Sequence, residues 1–272
     1  MKKKIIVTAF SNLTTDQRIE KVCKTLHDNG YVIELIGCNY GCNQEVKREY
    51  TVEKINLISK SLKTAYFEFN WKLYQKLLNK SFENTVLLTN DLDTLLPNFL
   101  LSKKKKIPLV FDSHEIFTEM PAIQGKISQK IWRFAENKML PHIEFMMTES
   151  ESYAKWFHEK YNVTPVVVRN IPKKLPLQEK TLTQNPKIIL YQGAINPSRG
   201  IDKAILAMKF IENANLIIVG DGPMRKKYEA FAVSNHLAHK VQFLGKKLPS
   251  ELRTITQKAN VGISLEENNG VS

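Results

Sequence analysis

The sequence predicts an α/β protein made of two doubly wound, Rossmann-like domains, and three observations carry that expectation. Short apolar runs ending at polar or glycine residues recur along the chain, as strands buried on both faces do. Segments with helical apolar spacing lie between them, so strand and helix alternate. From Arg169 to Pro186 the alternation stops, and Pro172, Pro176 and Pro186 stand among Gln, Thr and Asn as in a linker. The expected organisation is a first domain over 1–170, a linker over 171–186 and a second domain over 187–272. A length of 272 residues agrees with two domains.

The first strand is Lys4–Ala9. Its MKKK start mimics the charged head of a signal peptide, but the apolar run ends at Phe10, too soon for one. After the loop Ser11–Thr14, Ile19, Val22, Cys23 and Leu26 form a helical apolar face that Gly30 stops. Tyr31–Ile36 and Tyr50–Ile58 read as strands. A helix follows over Leu62–Asn79, with Phe67, Trp71, Tyr74 and Leu78 on one face expected to be core. The surplus aromatics beside Lys60, Lys63, Lys72 and Lys76 offer a second reading, an anionic membrane surface. Next come strand Thr85–Thr89, helix Leu92–Leu101, a solvated connection at Lys103–Lys106 and strand Ile107–Phe111. Helix Ile127–Leu140, strand Ile143–Met147, helix Glu151–Lys160 and strand Thr164–Val168 complete the half.

The alternation restarts with strand Lys187–Tyr191, a loop bounded by Gly193 and Gly200, and a helix over 200–210. Strand Asn215–Val219, the turn Gly220–Pro223, helix Met224–His236, strand Val241–Leu244, helix Pro249–Lys258 and strand Asn260–Ser264 follow. Four strands without closing helices make the second domain read as incomplete, cut in mid-fold.

Lys and Arg number 40 against 27 Asp and Glu, a net +13. Residues 1–170 hold 25 basic and 19 acidic side chains (+6), and residues 171–272 hold 15 and 8 (+7). The denser charge of the second half suits a small anionic ligand there. A nucleic-acid partner is not expected, because neither zinc-finger spacing nor an RNP-like run is present. Cys23, Cys38 and Cys42 form no C-x-x-C pair, which points to a reducing, cytoplasmic compartment and to no metal site. No stretch approaches the length of a membrane span. The chain lacks G-x-G-x-x-G after its first strand, a P-loop, G-x-S-x-G and H-E-x-x-H, which excludes the corresponding dinucleotide, NTPase, hydrolase and zincin chemistries.

Ligands of open α/β sheets bind outside the carboxyl ends of strands. Four polar clusters fall there: Asn90/Asp91, Asp112/His114/Glu115, Gly193–Gly200 and Glu266/Glu267. His114 directly follows a buried strand. Asp112 is a catalytic candidate or a turn-capping residue. The loop from Gly193 to Gly200 leads into a helix N-terminus, where backbone N–H groups attract phosphate, and Arg199 carries the matching guanidinium fork.

The order of these motifs resembles the group-1 (family 4) glycosyltransferases of the GT-B type, over essentially the whole chain. Asp16-Gln17-Arg18 is similar to that family's early D-x-R, Asn90-Asp91 to its ND, and Asp112-Ser113-His114-Glu115 to its D-x-H-E. Arg169-Asn170-Ile171-Pro172 resembles the asparagine segment that leaves the first domain. Gly193 to Gly200 is similar to the donor-phosphate loop, Gly220–Pro223 to GDGP and Val241–Gly245 to V-x-F-L-G. The resemblance implies two domains facing across a cleft, and retaining transfer of a sugar from a nucleotide-diphosphate donor without a required cofactor or metal ion. Gly193, Arg199, Gly200 and Gly220 would hold the donor phosphates, and Phe243, Gly245 and Lys246 the nucleobase side. His114 would orient the donor sugar, with Asp112, Glu266 and Glu267 as further catalytic candidates. Asn90 and Asp91 would face a glycan or lipid-linked acceptor. Three departures stand out. Ala194 replaces a usual basic residue, Ser11–Thr14 replaces a glycine-rich turn, and the family's two glutamates seven residues apart are represented only by Glu266 or Glu267.

The expected function is therefore a cytoplasmic transferase of surface polysaccharide or glycolipid synthesis, peripheral to the membrane. A nucleotide-sugar-binding protein with a degenerate site, or another GT-B enzyme such as a sugar-nucleotide epimerase, is the alternative.

Overall fold

The structure, a computed structural model, describes residues 2–11, 13–14, 16–40, 45–120, 123–171 and 185–267. The chain divides into two compact units, Met1–Pro172 and Lys173–Ser272. Most of the expected linker lies outside the described residues, as do Cys42 and the last five residues.

Unit 1 runs β1 (Lys4–Thr8), α1 (Gln17–Asp28), β2 (Val32–Cys38), β3 (Thr51–Ile55), α2 (Leu62–Leu78), β4 (Thr85–Asn90) and α3 (Leu92–Lys105). It continues with β5 (Leu109–Ser113), α4 (Ile127–Met139), β6 (Phe145–Thr148), α5 (Glu151–Tyr161) and β7 (Val166–Val167). The strands form one parallel sheet in the order β3-β2-β1-β4-β5-β6-β7. Chain order reverses between β1 and β4, so the crevice outside their carboxyl ends is where such a sheet binds ligands. Asp16 caps α1 by accepting the Ile19 N–H at 3.0 Å.

Two local expectations are corrected. The core-facing stripe of α2 is Ala65, Phe69, Leu73 and Leu77, whereas Phe67 is 79% and Trp71 60% exposed. Two apolar stripes of i, i+4 spacing run along this helix on opposing sides, and periodicity alone does not choose between them. Lys103–Lys105 form the last turn of α3 rather than a connection, with Lys106 in the left-handed conformation at its end. Three cations there complement the partial negative charge of the helix C-terminus.

Unit 2 runs β8 (Lys187–Gln192), α6 (Ile201–Ala207), β9 (Ala214–Val219), α7 (Arg225–Ser234), β10 (Val241–Gly245), α8 (Pro249–Lys258) and β11 (Val261–Gly262). Its parallel sheet has the order β10-β9-β8-β11. Leu216 and Ile218 of β9 pack with Ile201, Ile205 and Met208 in the core of the unit. The helix expected over 200–210 is shorter, because Met208–Phe210 tighten into a 3₁₀ turn.

The two faces of α2 give the first prediction. Phe69→Ala removes a fully buried ring and should cost about 3–5 kcal/mol, whereas Phe67→Ala should stay within about 0.5 kcal/mol of wild type. Urea unfolding of both variants checks this, and equal losses would contradict the assigned helix face.

Candidate functional site

In unit 1 the polar residues collect at the carboxyl ends of β4 and β5. Asp112, the penultimate residue of β5, is fully buried and receives two hydrogen bonds from Arg18 at the start of α1. Arg18 Nη2 donates to Oδ1 at 2.6 Å and Nε to Oδ2 at 3.2 Å. The remaining arm of Arg18 donates to the Val168 carbonyl at 2.7 Å, just past β7. Arg18 is itself 5% exposed. A buried cation and a buried anion are tolerable together because each answers the other's lost hydration through paired, directional bonds.

His114 follows within two residues. Its Nδ1 lies 3.2 Å from Asp91 Oδ2 and its Nε2 3.4 Å from Asp112 Oδ2. The second contact is loose, and Nε2 is buried without a hydrogen-bond partner among the described residues. The His114 backbone N–H also donates to Asp91 Oδ1 at 2.8 Å. Asp91 pays for this geometry with a left-handed backbone, φ +57°, held by its N–H bond to the Asp112 carbonyl at 2.8 Å. Asn90, by contrast, turns inward. Its Nδ2 donates to the Thr8 carbonyl at 3.0 Å and ties β4 to β1.

The charges of the cluster are interdependent. Burial disfavours the imidazolium of His114, but the Asp112 and Asp91 carboxylates outweigh it and raise its pKa above 6.5. Burial likewise opposes ionisation of Asp112, and the neighbouring His114 imidazole and the Arg18 guanidinium more than reverse this, so its pKa is lowered. Burial dominates at Asp91, whose pKa is pushed up to about 6 despite the nearby imidazole. Asp93, in the first turn of α3, is raised well above the usual range, by burial first and the Asp91 charge second. Chemically, the cluster presents a partly buried imidazolium held between carboxylates, suited to donating a hydrogen bond or polarising a substrate oxygen. It is poorly suited to act as a free base.

In unit 2 the loops after β8, β9 and β10 are stitched together by their own backbones. Gly193 N–H donates to the Val219 carbonyl at 3.0 Å, Ile195 N–H to that of Asp221 at 2.9 Å, and Gly220 N–H to that of Gly245 at 3.0 Å. Gly220 has φ +145°, and a Cβ there would strike the Gly193 carbonyl. Gly200 has φ +63°, and a Cβ there would meet the Leu265 carbonyl. Only glycine permits both approaches.

Arg199 sits on this loop, 38% exposed, and pairs with Glu266; Lys203 on α6 pairs with Glu267 at 2.7 Å. The Glu267 N–H also donates to the Ser198 carbonyl at 3.0 Å, so the segment after β11 lies along the loop. At the position of the missing charge, the Ala194 carbonyl accepts the Tyr191 hydroxyl at 2.8 Å. Arg225, at the start of α7, lies against Gly245 and bonds Glu229 at 2.8 Å. Phe243 packs against the core of the unit, and Lys246 is exposed. Among the described residues, no group of three His, Cys, Asp or Glu side chains converges to hold a metal ion.

The sequence candidates thus fall into two clusters: Asp91, Asp112 and His114 in unit 1, and Gly193, Arg199, Gly200, Gly220, Gly245, Glu266 and Glu267 in unit 2. Arg18 was not among the candidates. Its only sequence signal was the D-x-R triplet, 94 positions from the carboxylate it binds.

The electrostatics of His114 can be titrated. Its NMR midpoint should lie above 6.5, and Asp91→Asn should lower it by removing a facing carboxylate. Because the folded value is raised, the stability His114 contributes is present below pH 6.5 and fades as pH rises through that folded value. A midpoint at or below 6.5 in the wild type would contradict the carboxylate clamp.

Comparison with known proteins supplies the remaining context. Residues 174–270 match the family described as "Glycosyl transferases group 1". An uncharacterized glycosyltransferase of Methanocaldococcus jannaschii is 38% identical over 71 residues, which is 26% of this chain and only 20% of that protein. Among solved structures, sucrose-phosphate synthase of Thermosynechococcus elongatus superposes with a TM-score of 0.79 at 15% identity, over 99% of this chain and 77% of that one. Anabaena HepE in complex with UDP-glucose superposes with a TM-score of 0.68 at 14% identity, over 97% of this chain and 74% of that one. At these identities the structural likeness shows the fold, two Rossmann-like units of the GT-B class. Residues 174–270 are thus similar to the group 1 glycosyl transferases, and the chain has the GT-B fold.

Proposed function

We propose that this protein is a retaining glycosyltransferase that takes a sugar from a nucleoside-diphosphate donor and passes it to a glycan or lipid-linked acceptor in the cytoplasm. The observation that carries the donor half is the glycine-built edge of unit 2 with Arg199 upon it. Backbone approaches closer than any side chain permits draw the loops into one edge, and the guanidinium fork upon it matches the oxygens of a diphosphate. Anabaena HepE, of similar fold, was solved with UDP and with UDP-glucose, which supports a uridine nucleotide as the first donor to try. Arg199 would neutralise charge building on the departing diphosphate, the usual largest source of transition-state stabilisation. His114, with Nε2 unpartnered and its charge held by Asp91 and Asp112, would orient a sugar hydroxyl. Glu266 and Glu267 remain candidates for the acidic partner of the reaction. Buried, unpaired thiols at Cys23 and Cys38 agree with a reducing compartment.

The pairing of Arg199 with Glu266 does not stand against this reading. Such a half-exposed ion pair is worth about 0–1 kcal/mol, less than the roughly 1.5–3 kcal/mol of a hydrogen bond to a charged group. A diphosphate can therefore displace the carboxylate. Ala194 favours a second reading, a binding protein with a degenerate site; UDP-glucose bound with neither hydrolysis nor transfer, over a panel of acceptors, would select it.

Arg199→Ala should weaken UDP binding by about 1.5–3 kcal/mol, read by calorimetry on the full chain. Glu266→Gln should strengthen it slightly by releasing the arginine. Unchanged affinity in Arg199→Ala would remove the phosphate assignment.

A further inference from the structure

We infer that the outward face of α2, α3 and α4 is a docking surface for an anionic lipid bilayer. In unit 1 these helices form one layer, with α3 packed between α2 and α4. Each turns a single stripe to solvent, and each stripe is apolar and basic. On α2 it is Lys63, Phe67 and Trp71, with the two aromatic side chains 79% and 60% exposed. On α3, otherwise largely buried, Leu96 and Leu100 are about half exposed and lead into Lys103 and Lys104. On α4 the stripe is Ile127, Lys130, Ile131, Phe134 and Lys138, with Ile127 78% and Phe134 66% exposed. Large apolar side chains scattered singly need no explanation, but three adjacent stripes facing water do.

Charge selects the partner. The only acids on the three helices are Glu68, Asp93 and Glu136. Asp93 and Glu136 are buried. Glu68 is turned onto its own neighbours, bonding Lys72 at 2.6 Å and the Ser59 N–H at 2.9 Å. The exposed lysines of the stripes are therefore not offset by an exposed acid on the same helices. Apolar side chains interleaved with lysines are what the interface of an anionic bilayer accepts, the rings entering the acyl boundary while the ammonium groups stay among the headgroups. No helix among the described residues is long and apolar enough to cross a membrane, so the contact lies on the surface. The aromatic face of α2, which the sequence left between core and membrane, goes outward with two further helices beside it.

The inference does not rest on the transferase reading, and its assay needs no nucleotide. The full chain should co-sediment with phosphatidylcholine vesicles containing about one-third phosphatidylglycerol, but not with phosphatidylcholine alone, and salt should weaken the binding. Lys130→Glu with Lys138→Glu should lower partitioning at least roughly 25-fold, since each lysine near such a surface contributes about fivefold. Phe67→Ser with Trp71→Ser should lower it at least about tenfold, with the urea midpoint unchanged because neither side chain is core. Brominated lipid should quench wild-type tryptophan fluorescence more than that of Trp71→Phe. Failure of the wild type to bind anionic vesicles would overturn the inference. So would full binding by both double variants, or a lipid-free dimer abolished by Phe67→Ser with Trp71→Ser, which would seat a second copy on this face.

Discussion

Arg18 and Asp112 meet 94 positions apart in sequence, in a place that excludes nearly all water, and the carboxyl edge of unit 1 is arranged around them. Neither charge is acceptable there alone; removing one partner of such a pair typically costs about 3–5 kcal/mol. The two bonds between them, with the third from Arg18 to Val168, draw together the start of α1, the end of β5 and the chain beyond β7. The charge retained by Asp112 in turn helps retain that of His114. The imidazole is therefore not an isolated titrating group but an inner member of a chain of alternating charges running from a buried arginine through Asp112 and His114 to Asp91.

Unit 2 solves a related problem with less burial. Its three carboxyl-end loops are fixed by backbone hydrogen bonds, and its charged side chains, Arg199 with Glu266 and Lys203 with Glu267, stand at the surface. A buried pair specifies one geometry, whereas an exposed pair is weak enough to be exchanged. In the proposed reading, that difference would let unit 1 position a substrate group and unit 2 exchange a carboxylate for an anion. Glycine at positions 200 and 220 matters for the same reason: the loops come so close that backbone, not side chain, shapes the edge.

The layer of α2, α3 and α4 shows how one helix can serve two surfaces. Phe69, Leu73 and Leu77 fill the core beneath α2, while Phe67 and Trp71 lie on the opposite side among lysines. Burying both stripes would require a second layer of protein over the helices, and none of the described residues supplies it.

Alternation of buried strands and helices, the break near residue 172 and the order of the short motifs were all legible in the chain, because each is a local pattern of apolar spacing, proline and glycine. Asp91, His114, Gly193, Arg199 and Gly200 were legible as candidates on the same basis, since strand ends announce themselves by an abrupt change from apolar to polar residues. The extent of α3 was underestimated because a run of lysines looks like solvated coil until the helix C-terminus that welcomes its charge is in view. The tertiary structure alone decided that Arg18 is the partner of Asp112, that Asn90 faces Thr8 rather than solvent, and that the aromatic stripe of α2 points outward. Each depends on contacts between residues distant in sequence or on which side of a helix meets the sheet. Periodicity identifies the faces of an element, but only packing decides which one is buried.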